Sequence, residues 1–207
     1  MSTEVLKKER NNEILSARMI TMTAVLAAVS YILAFFEFPV PLSPSFARMD
    51  LSDYPALIGA FALGPVCGVL VEFVKNALQL LSSSTGGVGE LANFLMGSSY
   101  VAVAGLIYRH NKTKKGAISA LVAGSFFMGI AAAIANYFIL LPLFENFMPL
   151  DQLIASFGEF LPFIQTKLDI VLYNVFPFNL IKGLVIGGFT MLTYKHIRGI
   201  VLHIHTV

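Results

Sequence analysis

The 207-residue sequence has few charged residues, no tryptophan and a single cysteine, Cys67. Asp, Glu, Lys and Arg make up 13% of the chain, whereas soluble domains contain about 25%. Hydrophobic residues make up 57%, and the mean hydropathy is +0.77. These values exclude an ordinary soluble domain and predict an all-α integral membrane protein, with one domain over residues 1–207. One cysteine also excludes an intrachain disulfide.

The motifs of common catalytic sites are missing as well. The sequence contains no His-Glu-x-x-His, no Gly-x-Ser-x-Gly and no Walker A loop, since the paired glycines at 86–87 are not followed by Gly-Lys-Ser/Thr. The last two of the four histidines, His203 and His205, are interpreted as part of a polar tail rather than as metal ligands. We therefore predict no enzymatic activity, no cofactor, no metal site and no ATP hydrolysis by this chain.

Hydrophobic stretches predict six membrane-spanning helices, with an outer loop at 37–52 after the first. The predicted spans are approximately 17–36, 54–64, 68–81, 90–108, 117–143 and 169–194. The run 54–81 is interrupted at Gly64-Pro65 and allows either one kinked span or two short ones. The basic loop 109–116 should be cytoplasmic like the basic amino end, which requires an even number of spans before it. We therefore predict a tight turn at 64–68.

The distribution of basic residues predicts that both termini are cytoplasmic. Ten of the 14 Lys and Arg residues fall in the amino-terminal region, in the loop 109–116 or at the carboxyl end. Arg48 and Lys167 fall on the outer side, and Lys75 and Lys182 lie within predicted spans.

The segments predicted on the outer side have features of a cover for a site. Pro39, Pro41 and Pro44 alternate in the loop 37–52 and favour an extended backbone. This loop is interpreted either as a wall or lid or as an ordinary connector. Apolar residues at helical spacing in 144–168 predict a helix lying near the mouth of the site.

Polar residues within the spans are the main candidates for a binding site. A lysine such as Lys182 costs roughly 2.5–3.5 kcal/mol near the middle of a membrane span, so it should face a protein interior or a polar cavity. Asn179 lies three residues earlier on the same helical face, and Asn136 is predicted at similar depth. Their donors and acceptors suit a flat, neutral solute with ring carbonyls. The alternatives are interhelical hydrogen bonds for the asparagines and an ion pair for Lys182, for instance with Glu72.

Two further patterns accompany these polar residues. Glu72 and Lys75 are three residues apart and are predicted to form an ion pair. Ala24 and Ala28 form a small-xxx-small pattern that allows close approach of another helix, or has no role. Aromatic residues are predicted to supply the apolar walls of the site. These residues are Phe38, Phe46, Tyr137, Tyr173, Phe176 and Phe178.

Four segments carry a resemblance to a known family. They are 51–65 (LSDYPALIGAFALGP), 68–76 (GVLVEFVKN), 85–94 (TGGVGELANF) and 174–183 (NVFPFNLIKG). The chain resembles, over nearly its whole length, the substrate-binding S components of energy-coupling factor (ECF) vitamin transporters, and among them the riboflavin-binding members.

The resemblance implies a fold and a ligand site. S components have six helices and a pocket near the outer face, which the loop after the first helix covers. By motif match, Asn136, Asn179 and Lys182 would hydrogen-bond the polar edge of the flavin ring. The apolar residues expected against the ligand are Phe38, Pro39, Leu42 and Tyr173.

The resemblance also implies partners. S components work in the bacterial cell membrane with a transmembrane coupling subunit and two cytoplasmic ATPases, and Ala24 and Ala28 match the surface that docks on the coupling subunit. Riboflavin would be a transported ligand, and no nucleic acid is involved. The alternatives left by the residues alone are an S component for thiamine or biotin, a membrane enzyme using Lys182 and Glu72 as acid and base, and a self-sufficient channel or carrier.

Overall fold

Nine helices and two short strands form the part of the chain that the computed structural model describes, which is the backbone of residues 3–39, 48–83 and 85–205. Side chains are described for residues 17, 19–38, 49–83 and 85–193. The helices are α1 Thr3–Ala34, α2 Asp53–Leu63, α3 Pro65–Gln79, α4 Val88–His110, α5 Lys114–Ala135, α6 Leu141–Phe144, α7 Leu150–Gly158, α8 Lys167–Ile170 and α9 Phe176–His205.

Short irregular elements connect these helices. Strands β1 (Phe38–Pro39) and β2 (Arg48–Met49) pair antiparallel between α1 and α2. A 3-10 turn at Leu80–Ser82 follows α3. Two π-helical segments, Asn136–Leu140 and Val171–Val175, join α5 to α6 and α8 to α9.

Among the described residues, four helical segments are long and apolar enough to cross a membrane. They are Pro65–Ser82, Val88–His110, Lys114–Phe144 and Lys167–Thr193. Met19–Ala34 and Asp53–Leu63 are shorter apolar helices. The prediction of a helical protein with helices long and apolar enough to span a membrane is confirmed; the two-residue strands β1 and β2 are the exception to an all-α description of these residues.

The junction of α2 and α3 is a turn of one residue, Gly64. Its φ of 100° is accessible to glycine at little cost, and its N–H donates to Ala60 O at 3.1 Å. Pro65 then occupies the first position of α3, where a missing N–H is tolerated. The turn is therefore shorter than the predicted 64–68, because residues 65–68 are already helical.

Small residues let the central helices approach closely. A Cβ atom added to Gly68 of α3 would lie 2.8 Å from Cβ of Ala60 in α2, and one added to Gly183 of α9 would lie 2.7 Å from Oγ of Ser125 in α5. Tyr100 of α4 is fully buried and donates its hydroxyl to Gly183 O at 2.8 Å. These contacts bring α4, α5 and α9 together beneath the cavity described next.

Candidate functional site

A cavity of about 550 Å³ opens at the end of the helical bundle where α4 begins and α5 ends. Its volume lies within the range of small-molecule sites, roughly 300–1,000 Å³. The lining residues are Glu37, Asp50, Gln79, Thr85, Gly89, Glu90, Ala92, Asn93, Met96, Asn136, Phe144, Phe157, Asn174, Val175, Phe178, Asn179 and Lys182.

The structure brings the three predicted polar residues, Asn136, Asn179 and Lys182, to this one cavity. Asn136 begins the π-helical segment after α5, and Asn179 lies in the first turn of α9. Each asparagine donates one side-chain N–H to the carbonyl four residues earlier, Ala132 O and Val175 O respectively, at 2.9 Å. That bond orients the amide and uses neither its carbonyl oxygen nor its second N–H.

The ammonium of Lys182 lies among three oxygen-bearing side chains. Its Nζ donates to Asn93 Oδ1 at 3.3 Å, and it lies 3.3 Å from Asp53 Oδ2 and 3.7 Å from Asp50 Oδ2. Lys182 is only 3% exposed, and burying its charge costs free energy. The nearby carboxylates of Asp50 and Asp53 offset part of that cost. Among the described side chains its ion-pair partners are thus Asp50 and Asp53, and not Glu72, the partner considered from the sequence.

Behind Lys182 the ion pairs continue away from the cavity. Lys75 Nζ lies 2.7 Å from Asp53 Oδ1 and 2.6 Å from Glu72 Oε2, and it donates to Ser52 Oγ at 3.0 Å. The predicted Glu72–Lys75 pair is confirmed. We call Asp50, Asp53, Glu72, Lys75 and Lys182 the charged cluster; all five are buried.

The aromatic walls differ from those expected. Of the predicted aromatics, Phe178 lines the cavity, and the other aromatic lining residues are Phe144 and Phe157, which were not predicted as walls. Phe157 belongs to α7, a helix expected in this region, and is 5% exposed. Phe157 lies on the buried face of α7, and this face points towards the cavity.

Tyr173 and Phe38 do not line the cavity in the described part of the chain. Tyr173 is 54% exposed and packs edge-on against Phe163, with ring centroids 5.1 Å apart. Its neighbour Asn174 points to the cavity instead, because adjacent residues on a helix face different directions. Phe38 lies in β1 and is 44% exposed.

Tyr137 and Phe176 also pack elsewhere. Tyr137 lies beneath Lys167, whose Nζ is 5.2 Å from the ring centroid, and Phe176 packs edge-on against Phe126. The predictions for the Pro39 side chain, Leu42 and Phe46 lie outside the described residues.

Ala24 and Ala28 are exposed on α1. The opposite face of the same helix is buried, with Ala27 at 1% and Ser30 at 0% exposure, and Ser30 Oγ donates to Ser52 O. The two alanines therefore lie on a helix face that is available to another helix.

Sequence reasoning missed several polar residues of the cavity. Asn93, Asp50 and Glu90 line it without having been candidates. Glu90 Oε2 accepts hydrogen bonds from Ser83 Oγ at 2.9 Å and from Thr85 Oγ1 at 3.2 Å, which fastens the preceding loop to the start of α4. For Glu90 and Asn93 the signal was present in the segment 85–94, whose polar residues were used only for the resemblance.

Comparison with known proteins agrees with this architecture. Residues 18–194 match the family described as "ECF transporter, substrate-specific component". Riboflavin transporter RibU of Staphylococcus aureus (strain TCH60) is 35% identical over 180 residues, covering 87% of this chain and 89% of that protein. Riboflavin transporter FmnP of Bacillus subtilis (strain 168) is 30% identical over 175 residues, covering 83% and 87% respectively.

A solved structure described as "Structure and mechanism of the S component of a bacterial ECF transporter" has the same fold, with a TM-score of 0.72 and 33% identity. The similarity covers 87% of this chain and 95% of that chain. Because the family match spans most of the sequence and the helices superpose on a solved member, this chain belongs to the substrate-specific (S) components of ECF transporters.

Proposed function

We propose that this chain is a riboflavin-binding S component of the bacterial cell membrane, which captures riboflavin on the outer side and delivers it through an ECF transporter. The observation that carries the proposal is that Asn136, Asn179 and Lys182 line one cavity, in a chain whose relatives include transporters named for riboflavin. The family consists of transporter components, so we set aside the reading of Lys182 and Glu72 as an acid–base pair of an enzyme.

The chemistry of the cavity suits the flavin ring. The pyrimidine-like edge of the isoalloxazine carries two carbonyl oxygens, which accept hydrogen bonds, and one ring N–H, which donates. Lys182 and the remaining amide N–H groups can donate to the carbonyls, and the Oδ1 atoms of Asn136 and Asn179 can accept from the ring N–H. Phe144, Phe157 and Phe178 offer apolar surface to the rest of the ring system. Pro39 and Leu42 belong to the outer loop, and their predicted contacts with the ligand remain part of this proposal.

The proposed topology has six spans, with both termini in the cytoplasm and a single domain over residues 1–207. The two apolar helices of 16 and 11 residues, Met19–Ala34 and Asp53–Leu63, would be the first and second spans. Helix Asp53–Leu63 is about 16 Å long at 1.5 Å per residue, so it would span only with local thinning of the bilayer or with help from its neighbours. The basic distribution of the loop 109–116 supports the orientation.

We further propose that the chain works with a transmembrane coupling subunit and two cytoplasmic ATPases. The exposed face of α1 that carries Ala24 and Ala28 supports docking of the coupling subunit there, because small residues allow close helix contact.

Uptake into proteoliposomes tests this function. Vesicles containing the chain, the coupling subunit, both ATPases and internal ATP should accumulate radiolabelled riboflavin, and vesicles lacking the ATPases should not. Accumulation by the chain alone would instead support a self-sufficient carrier, and uptake of thiamine or biotin in place of riboflavin would reassign the ligand.

A further inference from the structure

We propose that Asp53 is a positioning residue of the cavity: its carboxylate fixes the ammonium of Lys182 at the cavity wall by bridging it to Lys75. The proposal rests on the proposed function, because its test measures the binding of riboflavin. Asp53 does not line the cavity and acts through Lys182.

The geometry is that of one carboxylate shared between two ammonium groups. Asp53 is the first residue of α2, and its Oδ1 lies 2.7 Å from Lys75 Nζ on α3. Its other oxygen, Oδ2, lies 3.3 Å from Lys182 Nζ on α9. Asp53 and Lys75 are both 0% exposed and Lys182 is 3% exposed, so both contacts are screened far less than contacts at the surface. A single side chain thus joins α2, α3 and α9 behind the cavity wall.

Asp53 is the nearest charged group to Lys182 among the described ion pairs. Asp50 is the other carboxylate, and its Oδ2 is farther away at 3.7 Å. The aligned hydrogen bond of Lys182 goes to the neutral Asn93 Oδ1. The contact to Asp53 Oδ2 is an ion pair without an aligned hydrogen bond. A lysine ammonium has three N–H groups, so the hydrogen bond to Asn93 leaves donor capacity for a ligand in the cavity.

Loss of the Asp53 charge should affect Lys182 more than Lys75. Lys75 would keep the carboxylate oxygen Glu72 Oε2 at 2.6 Å, whereas the only carboxylate left to Lys182 among its described ion pairs would be the more distant Asp50. A buried ammonium without a close partner either moves towards the remaining carboxylate or loses its proton. Both responses remove a fixed, charged donor from the cavity wall. Asparagine has nearly the size of aspartate, so Asp53→Asn changes the charge without opening a hole.

The test is a double-mutant cycle on riboflavin binding to the purified full chain in detergent. The four proteins are the wild type, Asp53→Asn, Lys182→Met and the double variant. We expect Asp53→Asn to weaken binding about tenfold, in line with the loss of a charge-assisted contact. If Asp53 acts through Lys182, the double variant binds as Lys182→Met does, within about threefold. A double variant that binds a further tenfold more weakly than Lys182→Met would overturn the proposal, because a separate structural role adds to the loss.

Glu72→Gln is the matched control. Glu72 is a buried carboxylate of the charged cluster that pairs with Lys75, but it neither lines the cavity nor pairs with Lys182 in the described structure. We expect riboflavin affinity within about threefold of the wild type. An equal loss in Glu72→Gln and Asp53→Asn would assign the effect to the cluster as a whole and contradict a specific role of Asp53.

The design separates failure of this proposal from failure of the proposed function. If the wild type does not bind riboflavin, the proposed function is wrong. If the wild type binds and Asp53→Asn binds equally well, only the positioning role is wrong. If Asp53→Asn does not fold, the double variant carries the test, because replacing Lys182 as well removes the unpaired ammonium, and its affinity is compared with that of Lys182→Met.

Discussion

Lys182 and Asn93 are 89 residues apart in the sequence, and Lys182 Nζ donates to Asn93 Oδ1 across 3.3 Å. The contact joins α9 to the first part of α4, and both side chains line the cavity. Because the same ammonium lies close to Asp53 of α2, the position of Lys182 depends on three helices at once. This arrangement makes Lys182 the residue on which ligand binding should depend most.

Replacing Lys182 should weaken riboflavin binding. Lys182→Ala removes a charged donor, and a hydrogen bond from a charged group contributes about 1.5–3 kcal/mol, which is roughly tenfold to a hundredfold in affinity. Fluorescence titration measures the effect. Lys167→Ala is the control. Lys167 contacts Tyr137 and Glu145 outside the cavity, so this variant should bind riboflavin as the wild type does. Unchanged affinity of Lys182→Ala would remove Lys182 from the site.

Bulky side chains on the exposed face of α1 should separate binding from transport. Ala24→Trp combined with Ala28→Trp leaves the cavity untouched, so riboflavin affinity should be normal, but close docking of the coupling subunit should be blocked and coupled uptake lost. Val122→Trp, at a 52% exposed position of α5, serves as the control and should transport. Normal uptake by the double tryptophan variant would show that docking does not use this face.

The charges of the cavity predict a preference for riboflavin over its phosphate ester, FMN. Glu37, Asp50 and Glu90 line the described cavity together with a single ammonium, that of Lys182. The excess of carboxylates should repel a phosphate by about 1–2 kcal/mol at an intermediate dielectric constant, or roughly tenfold in affinity. Competition titrations with both ligands measure the ratio, which should shrink at high salt if the repulsion is partly screened. Equal or tighter binding of FMN would contradict the prediction.

A side chain at Gly97 should destabilise the protein. A Cβ atom there would lie 2.6 Å from Glu72 Oε2, so α4 or the Glu72–Lys75 pair has to shift. We expect Gly97→Val to cost about 1–3 kcal/mol of stability and to lower the Tm in detergent. Gly188→Ala is the matched control: no atom lies within 4 Å of its added Cβ, and alanine favours helix. A Tm of Gly97→Val as high as that of Gly188→Ala would mean that α3 and α4 are not packed as described.

Part of the site was predictable because it depends on local rules. The burial cost of a lysine singled out Lys182, and helical spacing linked it to Asn179 and linked Glu72 to Lys75. Asp53 escaped notice because an acidic residue at the start of a helix already has a local explanation as a cap. Its actual contacts are with Lys75 and Lys182, which are distant in sequence.

The aromatic walls were predicted less well for a similar reason. Tyr173 lies in the π-helical segment Val171–Val175, and that segment directs Asn174 to the cavity and leaves Tyr173 at the surface. The wall residues Phe144 and Phe157 belong to α6 and α7, whose placement depends on tertiary packing. Periodicity within one segment cannot reveal which distant helix covers a cavity.

The decisive experiment for the proposed function is riboflavin binding to the purified full chain in detergent, followed by quenching of flavin fluorescence. Thiamine and biotin serve as control ligands, and circular dichroism establishes that the protein is folded. We expect nanomolar binding of riboflavin and no binding of the other two vitamins. Folded protein that leaves riboflavin fluorescence unchanged, or that binds thiamine or biotin instead, would contradict it.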